Sequence, residues 1–191
     1  MTRTRARILL VHVLLTVGVP VAPCLAQSTA KVPPPGPGAQ KPTAAPAALP
    51  RQADSPEFER VVKAATEARQ AERWSEAIDL YAKAIKLRPG YVEGHWYRGT
   101  AYYSLDDYAR CREAFRQVIA LAPKNGAAYA FLGLCEFGLK EYDRSLQHLL
   151  QSRTFGVGDV PELGSTARYH AALLMTRMDQ HDQALETLGE F

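Results

Sequence analysis

The sequence predicts an all-α solenoid in which short antiparallel helix pairs stack on one another. Three observations lead to this fold class. Residues of matching size recur 34 positions apart, prolines follow two of the copies at Pro89 and Pro123, and each copy carries two helical patterns. The recurring columns are Trp74, Tyr108 and Tyr142; Ala77, Cys111 and Ser145; and Tyr81, Phe115 and Leu149. A period of this length is typical of helical repeat architectures.

The copy at residues 92–125 indicates how one unit is built. Its first half has apolar residues at three- and four-residue steps, which place them on one face of a helix. Asp107 then follows a short turn and is expected to cap the next helix. The second helix runs from Tyr108 to Leu121 and ends before Pro123. Similarly, Ser55 and Pro56 form a favourable start for the first helix of the array.

Small residues mark the expected crossing points of the paired helices. Two helices approach closely only where their side chains are small, and larger residues one turn later fill the space that remains. The small residues are Ala65, Gly99 and Gly133 on first helices, and Ala77, Cys111, Ser145 and Ala184 on second helices. The large residues are Tyr81, Phe115, Leu149 and Leu188. Neither helix buries its stripe alone, so the next unit is needed to complete the core.

The segment from Trp96 to Tyr103, followed by Tyr108, Cys111, Phe115 and Pro123, resembles the tetratricopeptide repeat. The resemblance implies a right-handed α-solenoid. It divides the domain at residues 57–191 into repeats at 58–91, 92–125 and 126–159 and an incomplete repeat at 165–191. A glycine-rich insert follows Ser152, and the motif returns about five residues late at His181. No polar capping helix follows, so we expect either a longer native chain or an oligomer that covers this end.

In this family the first helices line a concave groove that holds extended peptides or partner helices. Carried over by position, the resemblance assigns the groove to Trp96, Thr100, Tyr103, Ala130, Leu134, Phe137, Tyr169 and Leu173. The alternative is that Trp96 and Phe137 belong to the core. Some family members bind acidic chaperone tails through a clamp of Lys and Asn residues. That clamp is missing, because the only asparagine, Asn125, lies in a predicted turn.

The N-terminal region indicates export. A basic start, an apolar run from Ile8 to Val19 and the small residues around Ala26 resemble a signal peptide over residues 1–26. Residues 27–56 are rich in proline and alanine and predict a disordered linker. The expected location is therefore periplasmic or secreted. An uncleaved membrane anchor and lipidation of Cys24 are the less favoured alternatives.

The charge of the mature chain gives no support for nucleic-acid binding. The whole chain carries 23 Lys and Arg against 20 Asp and Glu. Removal of Arg3, Arg5 and Arg7 with the signal leaves 20 of each sign. Binding to nucleic acid depends on a concentrated cationic surface, which a neutral chain without a basic cluster lacks.

Cys111 and Cys135 are expected on neighbouring helices of the stack. Export into an oxidising compartment permits a disulfide between them. Both residues, however, occupy positions that favour small buried side chains, and buried free thiols are common. The sequence therefore favours free thiols over a disulfide.

No set of residues predicts catalysis, a metal site or a cofactor. The histidines are spread over separate helices without metal-ligand spacing, and we expect His148 to be a solvated surface residue. The predicted function is a non-catalytic protein–protein interaction scaffold that binds a peptide or helix. The alternative is an N-terminal module that positions the catalytic part of a longer enzyme or envelope-assembly protein. Self-association through the fourth repeat is a third, weaker possibility.

Overall fold

The computed structural model of the protein describes residues 55–158 and 160–189, and within these ranges every regular element is a helix. The predicted all-α stack of helix pairs is confirmed. The predicted signal peptide, Cys24 and nearly all of the predicted linker lie outside the described residues. Among the described helices, none combines the length and apolar character needed to cross a membrane. In chain order the helices are α1 (Pro56–Gln70), α2 (Trp74–Leu87), α3 (Val92–Ser104), α4 (Tyr108–Leu121), α5 (Gly126–Gly138), α6 (Tyr142–Phe155), α7 (Pro161–Arg177) and α8 (His181–Gly189).

Among the described helices, α1, α4 and α5 begin at a side chain that accepts a hydrogen bond from the first turn. Ser55 accepts one from the amide of Phe58 at 3.1 Å, as its position before Pro56 predicts. The Asp107 carboxylate accepts one from the amide of Arg110 at 3.1 Å, which confirms the predicted cap of α4. Such bonds satisfy amide groups that have no partner within the helix.

The turn inside each helix pair fixes which residues of different pairs are equivalent. One residue of every such turn has a positive φ between 55° and 62°. The following amide closes the turn on a helix carbonyl, as in the bond from Arg73 N to Ala68 O at 2.9 Å. The positive-φ residues are Glu72, Asp106, Lys140 and Asp179. Equivalent positions are thus 34 residues apart through the first three pairs and 39 apart between the third pair and the fourth, in agreement with the predicted insert.

The predicted close crossings of paired helices are confirmed. A Cβ atom added to Gly99 would lie 2.8 Å from the Phe115 ring, and one added to Gly133 would lie 2.7 Å from Leu149. Ala65, Ala77 and Cys111, the small residues predicted at the crossings of the first two pairs, are fully buried. The expectation for the large residue of the last pair is wrong, because Leu188 is 38% exposed.

Aromatic rings connect successive pairs. Phe115 of α4 and Phe131 of α5 stack with ring centroids 4.9 Å apart and planes 2° apart. One pair earlier, Tyr81 of α2 stacks on Tyr97 of α3 at 5.4 Å. A ring on each of these first helices therefore packs on the large residue of the preceding second helix, where aromatic contact adds to the burial of apolar area.

Cys111 of α4 and Cys135 of α5 form a disulfide, with their Cα atoms 6.0 Å apart. The interpretation as free thiols was wrong. The expectation that both cysteines are buried was correct, since both are fully buried. The packing of α4 on α5 places the two Cα atoms within the range that a disulfide bridges. The bond joins the second repeat to the third.

We expect Gly126→Ala to destabilise the domain by ~1–3 kcal/mol. An added Cβ would collide with the backbone carbonyl of Gly156 and lie 2.8 Å from that of Ser152, so the insert after α6 would have to move. Gly90→Ala is the matched control, because no atom lies within 4 Å of its added Cβ. The unfolding midpoints of the two variants are measured in urea by the loss of the helical circular dichroism signal. Equal midpoints would contradict this packing.

We expect reduction of the disulfide to lower the free energy of unfolding by ~2–4 kcal/mol, because the unfolded chain gains conformational freedom. The measurement is urea unfolding with and without reductant. The double variant Cys111→Ala and Cys135→Ala is the control, and its midpoint should not respond to reductant. If the native chain also does not respond, the two thiols are free.

Candidate functional site

Half of the residues predicted to line a groove lie in the core. Thr100 is 1% exposed, Ala130 is fully buried and Leu134 is 3% exposed. Tyr103 is buried as well, with its ring 5.6 Å from that of Phe131. These four side chains do not face open solvent, which corrects that part of the sequence interpretation.

Trp96 and Phe137 are half-buried between successive first helices. The Trp96 ring meets the edges of Phe115 at 5.3 Å and of Phe131 at 5.5 Å, so it connects α3 to the following pair. Phe137 of α5 packs against His170 of α7 at 4.8 Å. Both side chains therefore serve the contact between repeats, as the core alternative anticipated. Any contact that they make with a partner stays a prediction.

Tyr169 and Leu173 are the two predicted residues that are clearly exposed, at 49% and 42%. They lie one helical turn apart on α7. The turn equivalence pairs them with Ala130 and Leu134 of α5, which are both buried, and α7 packs on α5. In the described part of the chain, no further helix occupies the corresponding position over α7.

The second helix of the same pair is also exposed on an apolar stripe. Leu185 is 69% exposed and Leu188 is 38% exposed, whereas their equivalents Leu146 and Leu149 on α6 are 9% and 2% exposed. Four large apolar side chains thus stand uncovered at positions that are buried one repeat earlier. We call Tyr169, Leu173, Leu185 and Leu188 the α7–α8 surface.

The sequence interpretation found only the α7 half of this surface. Leu188 was predicted to fill the core because the repeat pattern places a large buried residue there, and Leu185 was not assigned to any surface. The repeat pattern alone does not determine burial, because a residue on the outer side of a pair is buried only where the first helix of the following pair packs on it.

His170 lies beneath the α7–α8 surface, next to Tyr169. Its ring packs against Phe137 and its Nδ1 lies 2.8 Å from the carbonyl oxygen of Thr166. Burial lowers the pKa of His170 below the usual 6.5, and the bond to the carbonyl opposes part of this effect. The neutral imidazole is therefore the form that the fold favours.

The electrostatic character around α8 is acidic. Residues 178–189 include the exposed acids Asp179, Asp182 and Glu186 and contain no Lys or Arg. The nearest arginine in sequence, Arg177, places its guanidinium 4.7 Å from the ring centroid of Tyr142 on α6. This cation therefore lies toward the preceding pair.

His148 is not the solvated residue that the sequence predicted. Its Nδ1 lies 2.5 Å from Oε2 of Glu136, a fully buried carboxylate on α5. Oε1 of Glu136 lies 4.0 Å from the guanidinium of Arg116 on α4. A buried carboxylate needs such partners to offset its desolvation, so His148 serves the contact between α5 and α6. Over the described ranges, no three His, Cys, Asp or Glu side chains group together as metal ligands would.

Sequence comparisons agree with this architecture. The family described as TPR repeat matches residues 67–106, and the family described as Tetratricopeptide repeat matches residues 92–125. Human Tetratricopeptide repeat protein 13 is 31% identical over 99 residues, which cover 50% of this chain. The matched segment spans 11% of that relative's length. This chain therefore contains tetratricopeptide repeats.

Solved structures share the fold. MamA residues 41 to the end from Desulfovibrio magneticus RS-1 has a TM-score of 0.61 at 19% identity, with 70% of this chain and 72% of that chain covered. The first TPR of Spaghetti (RPAP3), bound to the HSP90 peptide SRMEEVD, has a TM-score of 0.56 at 20% identity. The match covers 63% of this chain and 95% of that chain. The TPR2B domain of yeast Sti1 in its pHsp70 complex has a TM-score of 0.53 at 25% identity. The match covers 66% of this chain and 99% of that chain.

We expect the fold to lose stability as the pH falls from about 7 to about 5, in part because of His170. The unfolded chain takes up a proton near the usual pKa of 6.5, whereas the folded chain resists it until a lower pH. His170→Gln should flatten the dependence of the unfolding free energy on pH in this range. His181→Gln is the control, because the His181 side chain is 63% exposed. Equal slopes for the two variants would contradict a role of His170 in this dependence.

Proposed function

We propose that the repeat domain is a non-catalytic scaffold that binds a peptide or helix of a partner protein through the α7–α8 surface. One observation carries the proposal. Tyr169, Leu173, Leu185 and Leu188 are exposed, although the equivalent residues of the preceding pair are buried. An exposed cluster of large apolar side chains is typical of an interaction site.

The energetics favour covering this surface. Burial of apolar area contributes about 25 cal/mol per Å², so enclosing even part of four such side chains supplies several kcal/mol in gross terms, before the cost of association. Tyr, the residue type of Tyr169, is among those that most often dominate the binding energy of an interface. In this proposal the α7–α8 surface supplies most of the binding energy, and Phe137 supports α7 through its contact with His170.

Two similar solved domains support a peptide partner in general terms. The Spaghetti domain is bound to an HSP90 peptide and the Sti1 domain forms a complex with pHsp70. A chaperone tail is not the ligand that we propose here. The single asparagine of this chain, Asn125, accepts a hydrogen bond from the amide of Ala128 at 3.0 Å and so caps α5.

We further propose that the domain acts in an exported location. The support is the sequence of residues 1–26, with its basic start, its apolar run and its small residues before Gln27. Residues 27–56 would then separate the repeats from the export site or the membrane.

We expect Tyr169→Gln with Leu173→Gln to weaken partner binding at least about ten-fold, because both side chains are central to the proposed contact. The probes are peptides selected against the full chain from a random library displayed on phage. Their affinity for the native chain and the variant is then measured by fluorescence anisotropy.

Leu105→Gln is the matched control, because Leu105 lies outside the α7–α8 surface and its 46% exposure is close to that of Leu173. Its affinity should equal that of the native chain. If no selected peptide depends on Tyr169 and Leu173, or if the control loses as much, the surface does not bind partners. Circular dichroism of both variants verifies that they fold.

A further inference from the structure

We propose that the partner of the α7–α8 surface is a single amphipathic helix with basic residues beside its apolar stripe. This inference rests on the proposed function and specifies the ligand of the same surface. The helix would lie on α7 and α8 as α7 lies on α5 and α6, so that it extends the stack by one first helix.

The chain itself contains three examples of this docking mode: α3 packs on the first pair, α5 on the second and α7 on the third. In the first two, a ring of the arriving helix stacks on the large residue of the preceding second helix. Tyr97 stacks on Tyr81 at 5.4 Å and Phe131 on Phe115 at 4.9 Å. Leu188 is the equivalent of Tyr81, Phe115 and Leu149. The incoming helix is therefore expected to place a bulky apolar residue over Leu188.

The arrangement of the exposed residues favours a helix over an extended segment. Tyr169 and Leu173 are four residues apart on α7, and Leu185 and Leu188 are three apart on α8. Two antiparallel helices with such ridges leave a groove into which the side chains of a third helix interdigitate. An extended segment would bring unpaired backbone amides and carbonyls, and two helices offer no strand edge to pair with them.

The charge of the partner follows from α8. Asp179, Asp182 and Glu186 are exposed beside the apolar stripe, and residues 178–189 contain no basic residue that could balance them. His181 is the one other titratable side chain there, and its Nε2 lies 3.8 Å from Asp179. Lys or Arg residues that flank the apolar stripe of the partner helix would therefore be favoured over acidic ones.

The same charges disfavour a second copy of this chain as the partner. Two α8 helices packed together would bring their acidic residues close to one another. The alternative of stacking α1 of another copy on α8 fails at the contact positions. The equivalents of Tyr97 and Ala101, which pack on the preceding pair, are Lys63 and Glu67 on α1, and both are exposed.

The test uses three synthetic peptides of about 18 residues, a length at which helices begin to persist in water. The first has an apolar stripe with Lys at the flanking positions, and the second has Glu at those positions. The third has the composition of the first with the apolar residues rearranged so that no stripe forms. Dissociation constants are measured with the full chain by fluorescence anisotropy.

We expect the Lys-flanked peptide to bind at least about three-fold more tightly than the Glu-flanked peptide, because several charge pairs of modest strength act together. The rearranged peptide should bind still more weakly. Glu186→Lys should reduce the preference for Lys flanks, whereas Glu67→Lys on α1 should leave it unchanged. Binding of the first peptide should also raise its helical circular dichroism.

Three results of these measurements would overturn the inference, and a fourth would come from the peptide library. One is equal binding of the stripe and rearranged peptides. Another is a preference for Lys flanks that is unaffected by Glu186→Lys. The third is concentration-dependent dimerisation of the chain in sedimentation that Leu185→Gln abolishes, since the surface would then bind a second copy. If library peptides depend on Tyr169 and Leu173 but contain prolines throughout, the inference fails while the proposed function stands.

Discussion

A helix pair in this chain cannot bury both of its apolar sides by itself. The second side is buried by the first helix of the next pair, and most of the structure depends on this contact. Leu146 and Leu149 of α6 are 9% and 2% exposed, and α7 packs on the pair to which they belong. The Cys111–Cys135 disulfide and the stacked rings of Phe115 and Phe131 reinforce the same contact one repeat earlier. Stability in such an array is a sum over neighbouring pairs.

This constraint also determines which residue types each pair needs. Gly99 and Gly133 allow the two helices of a pair to approach until a Cβ would collide with Phe115 or Leu149. Phe115 also contacts the next pair, where the ring of Phe131 stacks on it. Close approach within a pair and aromatic contact between pairs are therefore parts of one arrangement. The buried Glu136, held near His148 and Arg116, adds a polar contact between neighbouring helices of this array.

The sequence was sufficient to predict the helix pairs, because period, caps and small residues are local signals. The caps at Ser55 and Asp107 and the shifted register of α7 and α8 follow from such signals. The direction of the side chains on the first helices was harder to predict. A position such as Trp96 can face solvent or the next pair, and the packing against Phe131 decides its environment. The disulfide and the His148–Glu136 contact join residues on different helices, so no local pattern distinguishes them from free thiols and a solvated histidine.

The exposure of the α7–α8 surface also affects the stability of helix α8. The described part of helix α8, His181–Gly189, depends on α7 for its burial. It is held to α7 by buried contacts of Ala184 and Thr187, and its two leucines contribute little while they face solvent. Such a helix belongs to the part of a fold that opens most easily. A ligand that binds only the closed form stabilises it by mass action, so occupancy of this surface and the order of α8 are thermodynamically linked.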